Sequence, residues 1–214
     1  MTPALVLLAA GASRRLGACK ALVDLGGRTP LARLLAAGAD MDGAPPLVVA
    51  GPDQAAIARA APPGVEVLVN ARWSEGRTTS CALAARARAG LDLCFAPVDV
   101  PLVPREVFAG LATLWRARGG PRAWLQPRRA AGLDGAHPSA APGPRFGHPV
   151  VVGAGLCREL SLLLDERGLA WKDFPLRAVR ERAEPLLALD CDTDRILDDL
   201  DTPEDLERLR RLVS

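Results

Sequence analysis

Aromatic side chains are scarce in this chain, with four phenylalanines, four tryptophans and no tyrosine among 214 residues. So few rings leave little on which bases could stack, and the charge is almost balanced, 27 basic against 25 acidic residues for a net of +2. Together these argue against a nucleic-acid partner, which calls for a basic surface and stacking platforms. The five cysteines are odd in number and contain no C-x-x-C pair. They indicate neither a disulfide framework nor a thiolate metal site, and reduced thiols in the cytoplasm are the expectation. Long uncharged apolar runs are also missing: the first apolar stretch is broken by Gly11 and then by Arg14 and Arg15, with no basic segment before it. Neither a membrane span nor a signal peptide is expected.

What the chain does have is a regular alternation of short apolar runs and longer helical patterns, the mark of β-α-β units and a mostly parallel sheet. Strands are predicted at 4–10, 46–51, 65–70, 91–99, 123–127, 148–153 and 185–190. Helices are predicted at 29–40, 53–61, 79–90, 105–118, near 155–167, at 171–183 and from 203 onward. Thr29 and Thr202 precede Pro30 and Pro203, which makes each threonine an N-cap and each proline the first helical residue. Residues 128–147 are rich in Gly, Pro, Ala and Arg and lack periodicity, so an excursion loop is expected there. No internal repeat is present, and a single domain spanning 1–214 is expected.

The stretch 5–20, LVLLAAGASRRLGACK, passes from a buried strand into a small, cationic, glycine-bearing turn. A Walker loop does not fit, because five residues separate Gly11 from Gly17 and Lys20 lies three further on. A dinucleotide fingerprint does not fit either, since its middle glycine is missing. Two readings of the residues remain: a strand-end loop whose amides, with Arg15 and Lys20, face a phosphate, or a solvated turn carrying surface cations. Further along, Asp99 ends a central strand just before Pro101, where a carboxylate can serve a ligand or merely satisfy the turn. Asp201 precedes the last helix, where it can face the same ligand or act in capping. Asp199 is the alternative if the register of that segment shifts.

The pattern L-A-A-G-x-S-x-R-x-G-x-x-K over 8–20 resembles the signature loop of the MobA-like nucleotidyltransferases, most of all the molybdenum cofactor cytidylyltransferases. Further segments carry the resemblance: Asn70, Trp73, Gly76 and Ser80 as N-x-x-W-x-x-G-x-x-x-S, PVDVPLV around Asp99, RFGHPVVV around His148, and LDDLDTPEDL at the end. The resemblance implies a Rossmann-like, three-layer α/β/α sandwich of the nucleotide-diphospho-sugar transferase type. It implies a nucleotide-binding part over 1–100 and an acceptor-binding, metal-completing part over 101–214.

By the same resemblance, a nucleoside monophosphate passes from a triphosphate to a phosphorylated acceptor, with Mg2+ held by Asp99 and Asp201. Leu8, Ala9, Ala10, Gly11, Ala12 and Ser13 then bind the nucleotide, Arg15 the β- and γ-phosphates, and Lys20 the α-phosphate. Asn70, Ser80 and Arg72 flank base or ribose, Arg72 being equally placed as a surface residue. The L-A-A-G form accompanies cytidine in the cofactor enzymes and so favours CTP, although uridylyl relatives share it. His148 and Arg145 are the acceptor-side candidates, with Arg128, Arg129 and Lys172 as further phosphate contacts, while His137 is incidental. The family's L-x-G-D-x-G-A-R segment is replaced here by LLLDERGLAWKDFPLR at 162–177. The acceptor is therefore molybdopterin or another phosphorylated compound, a sugar phosphate or phosphoalcohol. A molybdoenzyme or its chaperone is the implied macromolecular partner, and a non-catalytic nucleotide- or cofactor-binding protein of the same fold is the competing reading.

Overall fold

A computed structural model of the chain describes residues 1–129, 144–165 and 175–213. Strands β1 (Ala4–Ala9), β2 (Leu47–Ala50), β3 (Glu66–Val69), β4 (Leu93–Pro97), β5 (Trp124–Arg129), β6 (Arg145–Phe146), β7 (Val150–Val152) and β8 (Leu186–Cys191) form one sheet. The helices are α1 (Pro30–Ala37), α2 (Gln54–Ala60), α3 (Arg77–Ala87), α4 (Arg105–Arg118), α5 (Ala154–Leu162), α6 (Arg177–Arg180) and α7 (Pro203–Arg211). No helix among the described residues is long and apolar enough to cross a membrane.

β1 is apolar throughout because it is covered on both faces, as parallel strands with crossover helices must be. Its side chains alternate between two cores. Leu5, Leu7 and Ala9 pack with Leu31 and Leu34 of α1, Ile57 of α2 and Phe108, Leu111 and Trp115 of α4. Ala4, Val6 and Leu8 pack with Cys81, Ala82 and Ala85 of α3 and Leu156, Cys157 and Leu160 of α5. The three-layer arrangement follows: α1, α2 and α4 on one face, α3 and α5 on the other. β3, β2, β1 and β4 run parallel, and β5 runs parallel to β8, as the alternation of elements predicts.

β7 breaks the pattern. It lies between β4 and β5 and runs antiparallel to both. β6, also antiparallel to β5, continues the same line, so that Gly147 to Val150 stand opposite only Gln126 and Pro127. The excess bulges His148 out of the ladder, where its amide donates to the Ile196 carbonyl at 2.9 Å. Glycine is required before it, because a Cβ on Gly147 would lie 2.3 Å from that same carbonyl oxygen.

The structure corrects several sequence-based boundaries. Both ends of the expected loop 128–147 belong to strands, while 130–143 lie outside the described residues: Arg145 and Phe146 form β6, and Arg128 and Arg129 belong to β5, held by ion pairs to Asp190 and Asp194 across β8 and beyond it. The helix expected at 79 begins at Arg77, immediately after Gly76 with φ of 130°. Within the described part of the segment expected to be helical at 171–183, only Arg177–Arg180 forms a helix, because the Glu184 amide is drawn to the Arg122 carbonyl and Pro185 starts the approach to β8. The helix expected near 155–167 ends at Leu162 in a 3₁₀ turn over 163–165. The Thr29 cap, the Thr202 cap and α4 match the sequence reading.

One carboxylate joins three elements of the core. Asp92, just before β4, accepts from the Trp115 indole at 2.9 Å and from the Ala154 amide that opens α5 at 2.8 Å. Asp92→Ala leaves both donors without this acceptor and should lower the free energy of urea unfolding by about 2 to 4 kcal/mol. A loss below ~0.5 kcal/mol would show that water replaces the carboxylate at no cost.

Candidate active site

The loop after β1 closes on itself. Ser13 takes a positive φ of 49°, a conformation that costs a serine on the order of 1 kcal/mol. Its carbonyl accepts from the Leu16 and Gly17 amides at 3.1 and 3.0 Å, and its hydroxyl accepts from the Lys20 amide at 3.1 Å. Gly17 follows at φ 74°, where the absence of a side chain is needed. The result is a tight ring that directs the Lys20 side chain into a cleft.

The C-terminal segment meets this ring through a separate apolar cluster of Leu16, Leu25, Leu200 and Leu209. That contact brings Asp201 against the loop. The capping of α7 is performed by Thr202, whose hydroxyl accepts from the Asp205 amide at 3.2 Å, and by Asp205, whose carboxylate accepts from the Thr202 amide at 3.0 Å. The Asp201 side chain is thereby left to the site: it accepts from Arg15 at 2.7 Å and forms a close ion pair with Lys20. Those contacts, the Lys20 hydrogen bond foremost, hold the Asp201 carboxyl below its usual range.

Asp99 follows the end of β4 and is tied to the same segment, its carbonyl accepting from the Leu200 amide at 2.7 Å. One carboxylate oxygen accepts from Arg77 at 2.8 Å, while the other, Oδ1, is buried without a hydrogen-bond partner. Asp199 makes no ion pair among the described residues, and burial, then the charges of Asp99 and Asp201, push its carboxyl upward. Arg77, Arg15 and Lys20 thus face Asp99, Asp199 and Asp201. The site is neutral as a whole and densely charged in its parts.

Gly11, Ser13, Lys20, Ser80, Arg77 and Asp99 line one open cleft of about 650 Å³, together with Leu8, Ala9, Ala10, Cys19, Ala21, Trp73, Pro97 and Val98. Of the residues predicted from sequence, it therefore gathers most of the loop, Ser80 and Asp99, with Arg15 and Asp201 joined to its edge through Lys20. Ala12 lies within the loop without lining the cleft. Asn70 is buried behind it, donating to Thr79 and Ser80 hydroxyls at 2.8 and 2.9 Å and accepting from the Arg72 amide at 2.9 Å. Its geometry is that of a support for Ser80. Arg72 forms an ion pair with Glu75. Arg145 lies on β6 opposite Arg129, away from the cleft lining, and Arg128 and Arg129 are engaged at the β5–β8 edge. Lys172 and His137 lie outside the described residues.

Arg77 and Trp73 were not among the sequence candidates for the site. The available signal for Arg77 was its place as the cation after Gly76 and three residues before Ser80, on the helix that follows β3.

A divalent cation fits this arrangement. A buried carboxylate oxygen without a partner, beside a second carboxylate pushed upward by its neighbours, offers hard oxygen ligands and negative charge. No group of three His, Cys, Asp or Glu side chains among the described residues is arranged to hold a metal alone. A divalent cation held there would take one or two carboxylates and complete its shell with phosphates and waters.

His148 reaches the same end of the sheet from the bulge ahead of β7. Its Nδ1 is buried without a partner, and its titration is pushed down to about 4 by burial first and by the Arg77 charge second, against the pull of Asp99. The unfolded chain, with an imidazole near 6.5, binds this proton first, so the stability due to a neutral His148 is complete above about 6.5 and is lost as pH falls toward 4. Urea midpoints should drop across that window, and His148→Asn should flatten the slope. An unchanged slope would mean that the folded imidazole titrates normally.

A model of the MobA-like NTP transferase domain matches residues 5–186. No curated protein sequence matches the chain. Among solved structures, Rv0371c from Mycobacterium tuberculosis H37Rv is similar over 99% of this chain and 98% of that one, at 24% identity and a TM-score of 0.72. The same protein in complex with manganese matches at 21% identity and a TM-score of 0.68, over 99% of both chains. The 2-C-methyl-D-erythritol 4-phosphate cytidylyltransferase of Thermus thermophilus matches over 100% and 99% of the two chains, at 21% identity and a TM-score of 0.67. Molybdopterin-guanine dinucleotide biosynthesis protein A of Archaeoglobus fulgidus matches over 97% of both, at 19% identity and a TM-score of 0.63. At these identities the likeness is one of fold, and it agrees with the three layers and mixed sheet described above. The family follows from the domain match, which spans both the glycine-bearing loop after β1 and the Asp99 strand: the chain belongs to the MobA-like NTP transferase family.

Proposed function

We propose that the chain is a Mg2+-dependent nucleotidyltransferase that moves CMP from CTP to a phosphorylated acceptor, molybdopterin being the acceptor favoured by its sequence, with release of pyrophosphate. The observation that carries this reading is that Lys20 and Asp99, far apart in sequence, line one cleft, with Asp201 bridged to Lys20. Such a transfer asks little covalent work of the protein; it asks that charge be neutralised and the attacking oxygen be held in line.

The amides of Gly11, Ala12 and Ser13 receive the phosphates, Arg15 grips the β- and γ-phosphates, and Lys20 follows the charge that grows on the α-phosphate. Asp99 and Asp201 hold the cation, with Asp199 beside them. When bound, the cation neutralises the triphosphate and aligns it. The part up to residue 100 serves the nucleotide, and the part from 101 onward serves the acceptor, with His148 contributed from the bulge ahead of β7. Leu8, Ala9 and Ala10 lie where the base enters, and Ser80, braced by Asn70, faces the ribose.

The departure of 162–177 from the cofactor enzymes' segment favours a second acceptor class, a sugar phosphate or phosphoalcohol. A molybdoenzyme or its chaperone is the partner that would receive a molybdopterin product.

Pyrophosphate release should be measured with purified protein, Mg2+, each of CTP, GTP, UTP and ATP, and either molybdopterin or a panel of sugar and alcohol phosphates. Turnover with CTP and molybdopterin is expected. Silence with every combination would favour a binding protein of the same fold. Lys20→Ala should lower kcat a hundredfold or more, about 3 kcal/mol of barrier, with a much smaller effect on nucleotide binding. A loss under tenfold in folded protein would reject the role given to Lys20.

A further inference from the structure

We propose that Arg77 is a metal-released anion clamp: it holds Asp99 in the free protein and, once a divalent cation occupies Asp99, turns to an anionic group on the acceptor. The inference rests on the nucleotidyltransferase reading and goes beyond it, because neither the loop motif nor the carboxylates assign any role to this residue.

Four observations lead to it. Arg77 opens α3 at the rim of the cleft and lines it together with Lys20 and Asp99. Its guanidinium holds one Asp99 oxygen at 2.8 Å, while the other oxygen has no partner, so the carboxylate is only half engaged. The Arg77 side chain is 51% exposed and Asp99 21% exposed, which makes the pair partly solvated and cheap to break, roughly 1 kcal/mol or less. Finally, the Arg77 charge is felt by both His148 and Asp199. Its charge therefore reaches the Asp99 and His148 side of the cleft, across from Lys20 in the same lining.

A cation bound at Asp99 would sit against a guanidinium of the same sign. Repulsion and the loss of its carboxylate partner free Arg77, whose planar fork suits phosphate or carboxylate oxygens better than an ammonium would. Lys20 and Arg15 already answer for the triphosphate, which leaves the Arg77 fork for the second substrate. The same exchange makes the anion site appear only when the metal is in place, so that the acceptor is captured after the metal and nucleotide.

Two measurements on the full chain test this. First, Mn2+ binding to wild type and Arg77→Gln, followed by electron paramagnetic resonance without nucleotide or acceptor, should show about two- to fivefold tighter binding in the variant, because Asp99 no longer has to leave a partner. Equal or weaker binding, with an unchanged urea midpoint, would overturn the clasp. Second, inorganic phosphate is titrated calorimetrically into protein carrying Mn2+ and the non-hydrolysable methylene analogue of whichever triphosphate the nucleotide panel selects. Wild type should bind phosphate at least about tenfold more tightly than Arg77→Gln, and only with Mn2+ present. Phosphate binding indifferent to Arg77 or to Mn2+, or a loss of affinity for the nucleotide analogue in the variant, would overturn the clamp. Failure of the analogue to bind wild type at all counts against the nucleotidyltransferase reading itself, whereas the Mn2+ comparison still decides whether Arg77 restrains Asp99.

Discussion

The contact between Lys20 and Asp201 joins the two ends of the chain at the point where they must cooperate. It is an ion pair between partly exposed groups, so its own contribution to stability is small. Its position is fixed by other means. Leu16 and Leu25 meet Leu200 and Leu209 in a separate apolar cluster, and the Leu200 amide is bonded to the Asp99 carbonyl. Apolar burial and one backbone hydrogen bond therefore set the geometry, and the charges are left free to change partners.

That freedom is what the proposed polyphosphate site requires. Cations fixed in place by strong, buried carboxylates would be held from a ligand, while uncompensated cations around a small cleft would repel one another in the empty protein. Here the opposite charges are brought within reach in a half-solvated setting, where each pair exchanges readily. Arg15 and Lys20 share Asp201, and Arg77 holds Asp99. By contrast, Asp198 is buried and held by both Arg195 and Arg208, and it belongs to the scaffold. Two aspartates adjacent in sequence thus have opposite employment: Asp198 anchors, while Asp199 is crowded by like charges at the cleft.

Much of this was legible in the sequence because it is local. Buried parallel strands read as short apolar runs, threonine followed by proline marks a helix start, and a carboxylate at a strand end next to proline marks the functional edge of the sheet. The role of Asp201 was ambiguous for the same reason: beside a cap, a carboxylate has two uses, and only the placement of Thr202 and Asp205 shows that capping is already provided for. What was not legible depends on partners distant in the chain. Arg128 and Arg129 sit in a glycine-rich surrounding that reads as loop, yet ion pairs to the β8 side extend β5 through them. Asn70 reads as a ligand contact, but its amide is consumed by hydroxyls of α3. Arg77 reads as one surface cation among many until Asp99 is seen beneath it.

The reversed strand β7 has a structural consequence of its own. In a sheet of like-directed strands, the functional edge is reached by the residues that come after each strand, and those residues also begin the next crossover helix. A strand inserted the other way meets that edge with the residues that come before it, here Gly147, His148 and Pro149, which are bound to no helix start. Substitutions or length changes ahead of β7 therefore alter that edge of the sheet, where the charges of Arg77 and Asp99 reach His148, without moving a helix or the register of β1 and β4. The direction of a single three-residue strand thus decides which residues arrive at that edge free of a helix.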